Sequence, residues 1–138
     1  MSKLLSVLAF GLLVPHGTWA KDNLASQPTD LPALEITADL KISQTEYHLE
    51  TGKAYRLVVK SDGGESFAFR APDFFQQVWI NGVSVEGLTI KTTTLTELAF
   101  EDDGGQATIL FVPIRPGKFS FWVEGYQTRG MAGDFVVE

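Results

Sequence analysis

The chain has 138 residues, with 11 Lys and Arg against 17 Asp and Glu, a formal net charge of −6 and no cysteine. The missing cysteine excludes thiolate nucleophiles, zinc thiolates and disulfides, so stability must come from buried apolar surface, and 44% of the residues are apolar. An acidic chain with no basic stripe is a poor phosphate-backbone binder, so no nucleic-acid partner is expected.

The first twenty residues, "MSKLLSVLAFGLLVPHGTWA", carry Lys3, an apolar run from Leu4 to Val14, and small residues at Thr18 and Ala20. This pattern is that of a secretory signal peptide cut after Ala20. The run is about half of the roughly 20 residues needed to cross a bilayer, so no transmembrane anchor is expected. The product is expected to be exported, to a periplasm or beyond. Cleavage would leave Lys21–Glu138, 118 residues with a charge of −7 and His48 as the sole histidine. That size suits one domain. The single imidazole removes most general-base and metal chemistries.

Residues 21–33, "KDNLASQPTDLPA", are polar with two prolines and no apolar period, and predict a flexible leader. From residue 34 the signals are β. "ALEITADLKI" alternates imperfectly, and "KAYRLVVKS" is rich in β-branched and aromatic residues. In "QQVWINGVSVEGLTI", Asn81-Gly82 between apolar runs predicts a two-residue hairpin turn. "EDDGG" separates "TTTLTELAF" from "QATILFV", and "PIRPG" precedes "KFSFWV". The one helical candidate is "APDFFQQ", with Pro72 in its first turn. Seven or eight short strands punctuated by Gly and Pro predict an all-β chain, an antiparallel Greek-key β-sandwich over residues 34–138.

Near the C-terminus, Phe119, Phe121 and Val123 alternate toward one face, which must be the core, while Trp122 and Glu124 point the other way. The stretch "FVPIRPGKFSFWVEGYQTRGMAG" resembles the C-terminal signature of the cupredoxins, the blue-copper β-sandwich proteins. "YRLVVKSDGGESFAFRAPDFF" resembles the strand and loop that carry that family's first histidine. The resemblance runs from about Leu34 to the C-terminus and implies a cupredoxin-like fold. It places the family's cysteine ligand at Val123, its histidines at Phe67 and Tyr126, and its axial methionine at Met131.

A type-1 copper site needs a thiolate, two imidazoles and a weak axial thioether. Only Met131 of that set is present, so no copper cofactor of this type is expected, and Phe67, Val123, Tyr126 and Met131 are vestigial ligand positions. The simplest expectation is that Met131 fills the vacated space against the other three. The alternative is a metal carrier in which Met131 acts with Tyr126, Glu124 or the Glu101, Asp102 and Asp103 carboxylates, favouring a harder ion than copper(I).

Exposed aromatics mark protein interfaces, so Trp122, Tyr126 and Trp79 are candidates for a protein partner at the loop end of the sandwich. Asp62, Glu65 and Asp73 are expected to flank that same end. His48 is expected to face solvent. With no nucleophile–base pair, paired carboxylates or phosphate loop, the chain reads as non-enzymatic, a binding or accessory protein of a metal-handling or membrane-associated assembly.

Overall fold

The computed structural model describes residues 27–138; the expected signal peptide, its cleavage point and residues 21–26 lie outside them. Twelve strands are described: β1 Thr29–Asp30, β2 Leu34–Thr37, β3 Lys41–Ile42, β4 Glu46–Leu49, β5 Tyr55–Ser61, β6 Phe67–Arg70, β7 Val78–Val85, β8 Leu88–Ile90, β9 Glu97–Phe100, β10 Gly105–Pro113, β11 Gly117–Val123 and β12 Ala132–Val137. One helical turn, α1 (Pro72–Phe75), stands where Pro72 placed it.

Two sheets form the sandwich. The larger runs β3-β2-β5-β10-β7-β8, with β1 added beside β5; the smaller runs β4-β12-β11-β6-β9. The expected sandwich is therefore present, with more and shorter strands than the seven or eight expected. The sheets are also mixed, because β1 and β2 pair parallel with β5, and β4 pairs parallel with β12. Such pairings join segments distant in sequence, and local turn chemistry does not encode them.

Alternation builds the core. In β5, Tyr55, Leu57, Val59 and Ser61 are buried while the residues between them are half-buried. A ladder of rings fills the space between the sheets: Phe74 stacks on Phe135 with centroids 4.0 Å apart, and Phe135 meets Phe121 at 5.0 Å. Among the described residues, no helix is long and apolar enough to cross a membrane.

Two sequence expectations need correction. The end of the expected leader is pinned: the Thr29 amide donates to the Ala54 carbonyl at 2.8 Å, and Asp30 pairs with Arg56 at 2.7 Å. Backbone hydrogen bonds to the edge of β5, invisible in a polar composition, hold these residues. Asn81-Gly82 makes no hairpin. It lies inside β7, where Leu110 pairs with Gly82 and Phe111 with Ile80, leaving Asn81 as the extra residue of a β-bulge. The hairpin comes at Glu86-Gly87, where both residues have positive φ (43° and 80°), as a two-residue turn between Val85 and Leu88 requires.

Candidate functional site

The loop after β11 folds back on its own root. The Tyr126 amide donates to the Val123 carbonyl at 3.0 Å, and a single 3-10 turn (Gln127–Arg129) follows. Gly130 then adopts the left-handed conformation (φ 82°), which glycine reaches without a Cβ clash. The chain returns at Met131, whose carbonyl accepts from the Val123 amide at 2.9 Å. The closure carries the Met131 side chain inward, where it is 0% exposed.

Phe67 (2% exposed) and Val123 (1%) belong to the same buried cluster as Met131, and the half-buried Tyr126 packs against that cluster. The rings of Phe67 and Tyr126 meet edge-on, with centroids 5.5 Å apart and planes at 62°. Phe67, Val123, Tyr126 and Met131 thus lie together at one apolar end of the sandwich. The Tyr126 hydroxyl donates to the Glu65 carboxylate, tying this loop to the one between β5 and β6. That hydrogen bond, some desolvation and the Glu65 charge hold the phenol above its usual range, with Arg129 acting the other way.

A third loop joins the same end. The Gly64 amide donates to the Asp102 carbonyl at 2.9 Å, and Gly63 packs so closely on Asp102 and Gly104 that a Cβ there would meet backbone. Glu101, Asp102 and Asp103 form the crossing between the sheets, from β9 to β10. Their carboxylates are exposed. Among the described residues, no group of three or more His, Cys, Asp or Glu is placed to hold a metal ion. Asp73 lies on α1, past the far end of β6, and not with Glu65.

The remaining candidates do not gather. Trp122 lies on the outer face of the smaller sheet, where its Nε1 donates to Glu124 Oε2 at 2.7 Å; the same oxygen is 3.6 Å from the Arg70 guanidinium. Glu124 is thereby held on the outer face of the smaller sheet, while the Met131 thioether is buried. Trp79, 43% exposed, alternates with buried Val78 and Ile80 and pairs with Val112 on the outer face of the larger sheet. The two tryptophans occupy opposite faces of the sandwich, too far apart for one patch. His48 is exposed on β4 beside Glu46. Arg70, which links Glu124 to Glu97, carried no sequence signal beyond its place in an alternating strand.

The residues present do not fit type-1 copper. Val123, Phe67 and Tyr126 offer no thiolate and no imidazole, and the chain has no cysteine to substitute.

No protein-family model matches the chain, and no curated protein matches it in sequence. Among solved structures it is similar to a multi-copper oxidase from Pediococcus acidilactici, at 9% identity, over 99% of this chain and 31% of that one, with a TM-score of 0.60. A multicopper oxidase from Campylobacter jejuni, a metallo-oxidase, aligns at 9% identity over 82% of this chain and 31% of its own, with a TM-score of 0.55. Auracyanin from the photosynthetic bacterium Roseiflexus castenholzii aligns at 16% identity over 77% and 94% of the two chains, with a TM-score of 0.48. At such identities the likeness is one of fold, and the fold is cupredoxin-like. The chain spans 31% of the length of either oxidase.

Proposed function

We propose that this is an exported, non-enzymatic accessory protein in which a cupredoxin-like sandwich serves as a protein-binding module of a metal-handling or membrane-associated assembly. The observation that carries the reading is the filled loop end. Phe67, Val123 and Met131 occupy it as buried hydrocarbon, and Tyr126 covers them. A site packed in this way has no room for a first coordination shell and presents no nucleophile beside a base. What remains useful is the shape of a rigid end whose three loops are tied to one another. The apolar run from Leu4 to Val14 and the small residues before Lys21 support export.

Binding at this end is tested by photo-cross-linking in the periplasm. A photoreactive side chain at Gln127, exposed on the loop, is compared with one at Lys118, exposed at the start of β11. The expected result is a discrete adduct with one partner from position 127 alone. Adducts of the same pattern from both positions, or none from either, overturn a loop-end partner.

A further inference from the structure

The smaller sheet ends at β9, and among the described residues no strand pairs with its outer side. Opposite, the larger sheet continues to β8. Leu88 pairs with Val85 and Ile90 with Val83, so each shares its partner's face. Val83 is buried in the core, which makes this the inner face, yet Leu88 is 61% and Ile90 45% exposed. The inner face of the larger sheet therefore overhangs the smaller one by the width of a strand.

Between Val85 and the β9 residues Leu98–Phe100 runs an open groove of about 390 Å³. Glu86, Glu97, Glu101 and Asp103 line it and no Lys or Arg does. Arg70 reaches Glu97 at 3.7 Å; among the described residues the other three have no ion-pair partner.

We propose that the free edge of β9 accepts an extended segment of a partner protein as a further strand, with apolar side chains turned onto Val85, Leu88 and Ile90 and alternate Lys or Arg side chains facing the carboxylates. Backbone hydrogen bonds along the edge supply affinity and the overhang supplies side-chain pockets, the division of labour of strand addition. Charge selects the occupant. A second copy pairing β9 antiparallel to itself about Ala99 would set Glu97 against Glu101, and like charges opposed across strands repel. A cationic segment meets the same residues with complementary sign. This rests on the binding-module reading above and names the chemistry of a partner.

The test is fluorescence anisotropy of the purified full-length chain with a labelled alternating peptide, Lys-Val-Lys-Val-Lys-Val-Lys. A block peptide of the same composition and a Glu-Val alternating peptide serve as controls. The alternating cationic peptide is expected to bind, and the controls are not. Affinity is expected to fall about tenfold or more in the Leu88→Ser/Ile90→Ser variant and in the Glu101→Lys/Asp103→Lys variant. All four positions are exposed, so both variants should melt close to the parent protein, and this is checked by circular dichroism.

Equal binding of the block peptide would mean charge attraction alone, and no binding at all would leave the edge unused; either overturns the proposal. A dimer in sedimentation that Ile90→Ser dissolves would make a second copy the occupant, and also overturns it. Cross-linking from Gln127 is read separately, so failure here leaves the loop-end reading intact.

Discussion

The Val123 amide donates to the Met131 carbonyl at 2.9 Å, and the side chains of both residues are buried in the core. Eight positions apart in sequence, they close a loop whose inside is hydrocarbon. Stability at this end should therefore depend on Met131 as a core residue. Met131→Ala is expected to cost about 2–5 kcal/mol, and Met131→Leu, which keeps the volume, less than about 1.5 kcal/mol. Urea denaturation of the two variants decides this. Equal, small losses would show that the thioether fills nothing.

The two glycines around Met131 serve different ends. Gly130 needs its positive φ but has open space around it, so Gly130→Ala should cost about 1–2 kcal/mol of backbone strain. Gly133 has no positive φ. A Cβ there would lie 2.7 Å from the Thr45 carbonyl carbon and 2.5 Å from the Phe121 ring, and Thr45 is held by the hydrogen bond from the Asp134 amide. Overpacking against backbone typically costs about 1–3 kcal/mol or more. Gly133→Ala is thus expected to lower the melting temperature more than Gly130→Ala, and the reverse order would contradict this packing.

Tyr126 should couple stability to alkaline pH. The fold holds its phenol above the ordinary value of 10.0, chiefly through the hydrogen bond to Glu65. A raised folded-state value means that the protonated phenol stabilises the fold. The contribution is complete below pH 10 and is lost as pH rises through the folded-state value. Tyr47, pushed up by burial, also destabilises the fold when it ionises, so the comparison must be with Tyr126→Phe and not with neutral pH alone. The melting-temperature gap between parent and Tyr126→Phe should be constant from neutral pH to about pH 9 and narrow above it. A gap that persisted or widened would remove Glu65 as the cause.

Much of the fold was legible because it is written in local alternation. Phe121 and Val123 point inward as their spacing requires, and Pro72 opens the single helical turn. Asn81-Gly82 misled because the same dipeptide suits a bulge. The deciding facts, the register against Leu110 and Phe111 and the Lys91 ammonium that binds the Asn81 carbonyl at 2.7 Å, belong to tertiary structure. Glu86-Gly87, with one glycine and no Asn or Asp, was the weaker signal of the two and made the turn.

At the loop end, Met131 was singled out only through the family resemblance, and the hydrogen bond that closes the loop, from the Val123 amide to its carbonyl, is not written in local alternation. Trp79 and Trp122 could not be placed by alternation, which says that a residue points outward and not from which sheet. The overhang at Leu88 and Ile90 was hidden for a related reason. A short apolar strand looks the same in sequence whether or not a strand faces it.

The most direct measurement is a copper titration of the unmodified chain beside its Phe67→His/Val123→Cys/Tyr126→His variant, with copper(I) and copper(II), followed by visible absorption and by bound metal after dialysis. The expected result is no stoichiometric copper on the unmodified chain. The variant should retain one equivalent of copper(II), with the intense visible band of a copper–thiolate bond. One equivalent retained by the unmodified chain would contradict a filled site and make the protein a metal carrier.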